Sequence, residues 1–235
     1  MRAVSVMAHQ DDELTCLGTM IRMKARGDSL GFICLTDGCG GMVHRPEMGR
    51  EEAAAVRRRE MEALCAQLDA PYLCLNLKDE YLYDTPEVRD GLICALRELG
   101  AEVIFTHFEK DYNLDHMVVN ALVRQCAMQA AFPMVKSSAM PLVAPPAVFQ
   151  TEPSGGFEFE PSHYVDITGV IERKRALSLC HVSQNEAFHA AFGHGIDDWI
   201  LMASRHRGAQ ASVMHAEAFR PMLARGLVKP YGILP

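Results

Sequence analysis

The sequence predicts an α/β fold in which a mostly parallel sheet is covered by helices on both faces. Short apolar segments alternate along the chain with longer amphipathic segments. This alternation is typical of β-α-β units, in which each crossover helix returns the chain to start a parallel strand. Ligands of such folds bind beyond the carboxyl ends of the strands, so we expect the active site there.

Four predicted strands and four predicted helices alternate over the first 131 residues. The strands are AVSVM at 3–7, LGFICLT at 30–36, YLCLNL at 72–77 and EVIFTH at 102–107. Apolar residues recur at helical spacing over 15–27, about 50–68, 86–100 and 115–131. Gly27 and Gly100 stand where the first and third of these helices are expected to end.

The remaining chain is less regular. Proline and glycine are frequent over 133–162, which predicts an irregular excursion with one strand at PAVFQ and walls for a pocket. A strand is predicted at 163–168, a helix at 170–180 and a helical segment around 185–206, followed by a short tail that contains AEAF. No internal repeat or clear linker is visible, so residues 1–235 are predicted to form one domain.

Composition excludes several classes of protein. The net charge of -7 argues against nucleic acid or an anionic membrane as the main partner. The basic run Arg57–Arg59 lies among acidic residues, as on a solvated helix face. No segment reaches the roughly 20 apolar residues of a membrane span, and no signal peptide is visible. The eight cysteines form no CxxC pair, which favours reduced thiols in a cytoplasmic protein.

Charged residues and histidines cluster where the predicted strands end. AHQDDE follows the first strand, DGCGG the second, KDE the third and HFEKDYNLDH the fourth. Because the carboxyl ends of neighbouring parallel strands converge, these segments can share one crevice.

Three of these residues form a plausible zinc site. His9 and Asp12 are three residues apart, and His116 opens the helix after the fourth strand. Two imidazoles and one carboxylate suit catalytic zinc, with a position left for water. Zinc lowers the pKa of bound water to about 7, and Asp11, between the two local ligands, could accept the proton of that water. Ferrous iron or cobalt would fit the same ligands.

Two other interpretations compete with this site. Asp11, Asp12 and Asp115 could be helix caps or solvated loop residues, since aspartate is common at helix starts. Because AHQDDE and DYNLDH lie at the ends of two different strands, that interpretation is weaker for the two together than for either segment alone. A dinucleotide site would need G-x-G-x-x-G after the first strand, and that pattern is absent from the sequence.

Eight short motifs follow one another along the chain: AHQDDE at 8–13, LTDG at 35–38, R-x-x-E at 57–60, DYNLDH at 111–116, YVDIT at 164–168, K-x-x-A-L at 174–178, H-x-S-Q at 181–184 and AEAF at 216–219. Through these motifs the chain resembles the LmbE-like, or PIG-L-type, N-acetylglucosaminyl deacetylases. The resemblance implies a Rossmann-like fold and a mononuclear zinc deacetylase acting on an amino sugar or related amide. It makes His9, Asp12 and His116 the metal ligands and Asp11 the base.

The resemblance also implies roles for residues around the metal. Asp115 would tune the site from beside a ligand. Arg57 and Asp79 match positions that hold the sugar in some relatives, although Arg57 could equally be a surface helix arginine. His181 and Gln184 are expected either to close the pocket or to serve in capping or the core.

This chain departs from the family pattern at two positions. Gln10 replaces a usual proline, which we expect to alter the loop more than the chemistry. Asn113 replaces a common histidine and cannot deliver a proton at neutral pH. It is expected either to stabilise the oxyanion or merely to turn the loop before His116.

The sequence thus predicts a cytoplasmic, zinc-dependent N-deacetylase of a small amino sugar or sugar conjugate, with assembly into a homo-oligomer left open. Two alternative functions stay open. One is an amidase that releases a larger acyl group from a glycoside or thiol conjugate. The other is a metal-bearing binding protein with little turnover.

Overall fold

A computed structural model describes residues 1–223 and residue 234 of the chain. The strands in this part are β1 (Arg2–Met7), β2 (Ser29–Thr36), β3 (Tyr72–Leu77), β4 (Val103–Thr106), β5 (Ala147–Thr151), β6 (His163–Asp166) and β7 (Ala216–Pro221). The α-helices are α1 (Leu17–Ala25), α2 (Arg50–Gln67), α3 (Pro86–Glu98), α4 (Leu114–Gln129), α5 (Ile171–Ser178), α6 (Val182–Phe192) and α7 (Ile196–Ala211).

All seven of these strands belong to one sheet, in the order β3-β2-β1-β4-β5-β7-β6. Strands β1 to β5 pair in parallel, whereas β7 runs antiparallel to both β5 and β6. The predicted α/β fold with a mostly parallel sheet is therefore confirmed.

Helices cover both faces of the sheet, as predicted. Alternate side chains of β1 enter opposite cores: Ala3 and Met7 pack on one side, and Val4 and Val6 on the other. The first core includes residues of α1, α2, α5 and α7, and the second includes residues of α3 and α4. Strand β1 is buried from its second residue onward, because both of its faces are covered.

The order of the strands places a switch point beside β1. The chain builds β1, β2 and β3 outward in one direction and then crosses back to place β4 on the other side of β1. Connections on the two sides leave in opposite directions, which opens a crevice between the carboxyl ends of β1 and β4. Residues that follow these two strands line that crevice.

The structure differs from the sequence prediction at two helices and one strand. The first helix was predicted over 15–27, whereas a 3-10 turn, Asp12–Thr15, precedes α1, which begins at Leu17. The segment around 185–206 forms two helices, because Gly193 ends α6 with φ 76°. The tail with AEAF is β7, which owes its strand conformation to pairing with β5 and β6 rather than to its own short pattern.

The first half of the Pro/Gly-rich excursion lies at the end of the sheet away from the crevice. Residues 133–146 connect α4 to β5, so they lie at the amino ends of the strands. There the buried Arg97 guanidinium donates hydrogen bonds of 2.9 Å to the carbonyls of Ala130, Phe132 and Val135. The expectation that 133–162 walls the pocket is therefore wrong for 133–146.

All eight cysteines are unpaired thiols, as predicted. In residues 1–223 and 234, no helix combines the length and the apolar character that a membrane crossing requires. The cytoplasmic location remains a prediction from the sequence.

Glu217 on β7 holds the start of α1. Its buried carboxylate accepts hydrogen bonds from the backbone N–H groups of Gly18 and Thr19, at 2.8 and 2.7 Å. It also pairs at 2.7 Å with the buried ammonium of Lys174. The carboxylate thus satisfies helix donors and a buried cation together, which gives a physical reason for the K-x-x-A-L and AEAF motifs.

We predict that Glu217→Ala destabilises the protein by about 3–5 kcal/mol, because it leaves a buried cation and two backbone donors unpaired. Urea unfolding would measure the change. The control is Glu109→Ala, which breaks the exposed pair with Arg124 and should cost less than about 1 kcal/mol. Equal effects of the two substitutions would contradict this role of Glu217.

Candidate metal and catalytic site

The ends of β1 and β4 bring the histidines together. His107 directly follows β4, and its Nε2 accepts a 2.9 Å hydrogen bond from the backbone N–H of Ala8, directly after β1. His116 lies in the first turn of α4, and its ring stacks on His107 with centroids 3.9 Å apart. His9 lies two residues after β1, facing His116.

His9, Asp12 and His116 converge on one point. His9 Nδ1 lies 3.2 Å from His116 Nε2 and 3.3 Å from Asp12 Oδ2, and His116 Nε2 lies 3.4 Å from Asp12 Oδ1. Donors bound tetrahedrally at about 2.0–2.1 Å from a zinc ion are about 3.3 Å apart. The three side chains therefore fit a divalent metal with a position open to a further ligand.

The far nitrogens of both imidazoles face carboxylates. His9 Nε2 lies 2.9 Å from Asp79 Oδ1 and 3.5 Å from Asp115 Oδ2. His116 Nδ1 lies 3.1 Å from Asp111 Oδ2. Such carboxylates orient imidazole ligands and raise their basicity, so both rings are set to present one nitrogen to a metal.

The charges of the site also fit a divalent cation. Burial alone would lower the pKa of both His9 and His116, but the surrounding carboxylates outweigh it. They raise the pKa of His9 well above its ordinary value and that of His116 to about 9. The carboxylates therefore favour positive charge on this pair of imidazoles in the absence of metal. A divalent cation bound between two neutral imidazoles supplies positive charge at the same place.

Asp11 is held beside this triad in an unusual conformation. Its φ of 104° is uncommon for a non-glycine residue. The Glu13 carboxylate accepts a 2.9 Å hydrogen bond from the Asp11 backbone N–H, and the Arg57 guanidinium lies 3.0 Å from Asp11 Oδ1. Desolvation raises the pKa of the Asp11 carboxyl, with Arg57 opposing that rise. The Asp11 side chain is 20% exposed.

His181 lies beneath the site rather than at its mouth. The side chain has no exposure, and its Nε2 lies 2.7 Å from Glu13 Oε1. The other oxygen of Glu13 holds Asp11. This position favours the core role that the sequence left open over closing the pocket, because the His181 ring supports Glu13. Burial lowers the pKa of His181, but the Glu13 charge outweighs it and the pKa is raised.

Arg57 and Asp79 are also buried. Arg57 is 1% exposed and donates to the Gln10 carbonyl and the Asp11 carboxylate, so it is neither a solvated helix arginine nor open to a sugar. Asp79 is 5% exposed and lies between His9 and the backbone N–H of Gly40. Both residues contact the site from behind, which favours positioning over the predicted sugar contacts.

Asn113 is the N-cap of α4. Its side-chain oxygen accepts a 2.8 Å hydrogen bond from the Asp115 backbone N–H, and its amide nitrogen lies 3.4 Å from Glu80 Oε1. This contact gives Asn113 the loop role proposed as an alternative, while its amide nitrogen faces Glu80. Asp115 itself accepts from the backbone N–H groups of Glu80 and Leu82.

Gln10 and Gln184 donate hydrogen bonds to the surrounding loops and strands. Gln10 is buried and its amide donates to the Tyr72 hydroxyl at 3.1 Å and the Thr36 carbonyl at 3.3 Å. This agrees with an effect on the loop rather than on the chemistry. Gln184 donates to the Gly41 carbonyl at 3.0 Å.

Sequence reasoning missed three contributors: His107, Asp111 and Glu13. Asp111 and Glu13 lie inside the motifs DYNLDH and AHQDDE, so motif membership could have suggested them. His107 has only its position at a strand end as a signal. Burial and the neighbouring His116 lower the pKa of His107 to about 4, so its ring is neutral.

Comparison with known proteins links the chain to a family. The sequence model of the PIG-L family, described as GlcNAc-PI de-N-acetylase, matches residues 4–127, which is more than half of the 235 residues. A comparison with curated protein sequences finds no match.

Solved structures share the whole fold. A conserved protein from Thermus thermophilus is 30% identical with a TM-score of 0.78, over 98% of each chain. N,N'-diacetylchitobiose deacetylase from Pyrococcus horikoshii is 22% identical with a TM-score of 0.79, over 94% of this chain and 83% of that chain. GalB, the 4-carboxy-2-hydroxymuconate hydratase from Pseudomonas putida KT2440, is 22% identical with a TM-score of 0.82, over 98% and 99%.

We predict that zinc binding to the metal-free protein releases one to two protons at pH 7. Ligation needs neutral imidazoles, whereas His9 and His116 hold protons below their raised pKa values. Affinity should therefore rise as pH increases toward about 9, the pKa of His116. Calorimetry in buffers of different ionisation enthalpy would count the protons.

The matched variants for this prediction are His116→Ala and His163→Ala. The first should lose tight zinc binding, whereas the second alters an exposed histidine on β6 and should bind like wild type. Zinc binding without proton release, or tight binding by His116→Ala, would refute the site.

Proposed function

Because the chain belongs to the PIG-L, or GlcNAc-PI de-N-acetylase, family, we propose that it is a zinc-dependent N-deacetylase of an amino sugar or sugar conjugate. The observation that carries this proposal is the convergence of two imidazoles and one carboxylate at tetrahedral spacing, with Asp11 alongside. Acetate release from a panel of N-acetylated sugars, measured together with metal content, tests it.

His9, Asp12 and His116 would hold the zinc ion, which polarises the amide carbonyl and makes a water molecule more acidic. Asp11 accepts a proton as the water oxygen attacks the acyl carbon. When the C–N bond breaks, Asp11 returns that proton to the nitrogen, so the products are a free amine and acetic acid, which ionises to acetate. The raised pKa of Asp11 makes its carboxylate a stronger base, and the carboxylic acid that forms keeps its proton until the C–N bond breaks.

The surrounding residues keep Asp11 in place during these transfers. Arg57 pairs with the ionised carboxylate, and Glu13 fixes the backbone N–H of Asp11 in its uncommon conformation. Since His181 contacts the same glutamate, a chain of buried contacts supports the base from below. This arrangement limits the directions in which the Asp11 carboxyl can point.

Two alternatives to a deacetylase can be separated from it by experiment, and a third is disfavoured by the charges of the site. An amidase would release an acyl group larger than acetate, which product mass identifies. A binding protein would show ligand-induced stabilisation without turnover. A hydratase like GalB, whose named substrate carries carboxylate groups, is disfavoured because Arg57 already pairs with Asp11 and four further aspartates surround the imidazoles.

We predict that Asp11→Asn keeps bound zinc and loses about 10²–10⁴ in turnover, because the amide cannot accept the proton. Acetate release and metal analysis on the same preparation measure both effects. Asp12→Ala is the matched variant and should lose metal together with activity. If Asp11→Asn lost metal to the same degree, the assigned roles would be wrong.

A second prediction separates the two roles of Asn113. Asn113→Asp retains a good N-cap but replaces the N–H donor with a carboxylate beside Glu80, so α4 should stay capped while turnover falls about 10²–10³. Asn113→Ser, which keeps a cap and a neutral donor, controls for the added charge. Near-normal turnover in Asn113→Asp, with only Asn113→Ala losing stability, would leave Asn113 a capping role alone.

A further inference from the structure

A cavity of about 200 Å³ lies between the turn that follows β1 and helix α7. Leu14 and Thr15 of the 3-10 turn line one side of it, and Trp199 and Ile200 of α7 line another. The described residues of its lining include none of the three proposed metal ligands. Because an apolar cavity of about 150 Å³ can hold benzene, this one has room for a compact molecule apart from the metal site.

Small side chains create the cavity where α7 packs on β7. Ala203 and Ser204 of α7 line it, as do Ala216 and Ala218 of β7. Protein interiors are otherwise closely packed, so side chains of this size leave a space that larger ones would fill. The cavity therefore follows from the sequence of one helix and one strand.

Lys174 of α5 lines the same cavity and has hydrogen-bond donors to spare. Its side chain is 5% exposed, and its ammonium donates to Glu217 Oε1 at 2.7 Å. An ammonium has three N–H donors, and among the described residues Glu217 is the one hydrogen-bond acceptor of this group. Because a buried donor without a partner is costly, an oxygen acceptor on a bound molecule would be stabilised here.

The charges around the cavity already balance one another. Lys174 pairs with Glu217 at 2.7 Å, and Glu152 pairs with Arg207 at 2.6 Å. Both carboxylate oxygens of Glu217 also accept from backbone N–H groups of α1, and His206, the remaining ionisable residue of the described lining, is exposed. An ionised ligand would add a charge without a counter-ion, which is costly in a buried place. A neutral carbonyl oxygen accepts from Lys174 without that cost.

We propose that this cavity is a second binding site, which takes a compact neutral molecule with a carbonyl group on an apolar body. The carbonyl oxygen accepts a hydrogen bond from Lys174, and the apolar body contacts Trp199 and Ile200. Aromatic amides and ketones have this combination of an apolar body and one polar group. The site is separate from the proposed deacetylase reaction, and neither proposal depends on the other.

The first experiment uses the single tryptophan of the chain as a reporter, since Trp199 lines the cavity. Benzamide, which combines a ring with a neutral carbonyl, should change the tryptophan fluorescence of the full chain in a saturable way. Toluene lacks the acceptor and benzoate adds a charge, so both should bind at least about tenfold more weakly. Benzamide should bind equally with and without zinc, whereas binding that requires zinc would place it at the metal site and overturn the proposal.

Ala203→Phe tests the location, because its ring would fill the cavity. It should weaken benzamide binding at least about tenfold, as measured by calorimetry. The matched control is Ala190→Phe, which alters an exposed alanine of α6 outside the described lining and should bind benzamide like wild type.

Lys174→Met tests the donor. It should weaken benzamide binding about tenfold and leave the weaker binding of toluene unchanged. Because this variant also leaves Glu217 without its cation, urea unfolding establishes whether it folds. If it does not fold, the ratio of benzamide to toluene affinity in wild type carries the test.

Three results would overturn the proposal. Absence of saturable benzamide binding would mean that the cavity holds water only. Equal or tighter binding of toluene or benzoate would contradict the preference for a neutral carbonyl. Undiminished binding by Ala203→Phe would place benzamide elsewhere on the molecule.

Discussion

Four carboxylates surround two imidazoles at the junction of β1 and β4, and the rest of the site depends on how their charge is balanced. The carboxylates belong to Asp12, Asp79, Asp111 and Asp115. Burying carboxylates is costly unless cations accompany them. Protonated histidines meet that need in the absence of metal, and a divalent cation meets it with neutral histidines. The same charge balance thus favours metal binding and determines which imidazole nitrogen is free for it.

The fold makes this charge balance possible because it brings the motifs AHQDDE and DYNLDH together. Because β1 and β4 are neighbours at the switch point, residues that follow β1 lie within hydrogen-bond distance of residues that follow β4. The turn after β1 is then held from three directions. Glu217 anchors the helix behind it, Glu13 fixes the Asp11 backbone and Arg57 pairs with the Asp11 side chain. Several segments distant in sequence therefore determine the direction of one carboxyl.

The sequence was sufficient for the parts of the molecule that depend on local pattern. Alternating apolar and amphipathic segments predicted β1 to β5 and their order of appearance, and polar residues at strand ends predicted the convergence of His9, Asp12 and His116. The burial of Arg57 and His181 was not predictable, because each is buried by segments far away in sequence. Likewise, β7 takes its conformation from partners more than 40 residues earlier. The location of 133–146 could have been deduced, since a loop from a helix into a parallel strand lies at the amino ends of the strands.

The arrangement of charge also separates the chemistry of the site from its choice of substrate. Acidic groups contact the imidazoles from behind, where Asp79 and Asp115 are almost completely buried. Exposed tyrosines lie instead on the loops after β3 and β4. Tyr81 and Tyr83 on the first of these loops are more than half exposed, so they can change without disturbing the carboxylates beneath them. A protein built this way can retain its buried site while its surface loops diverge, which is one way in which a single fold comes to host different functions.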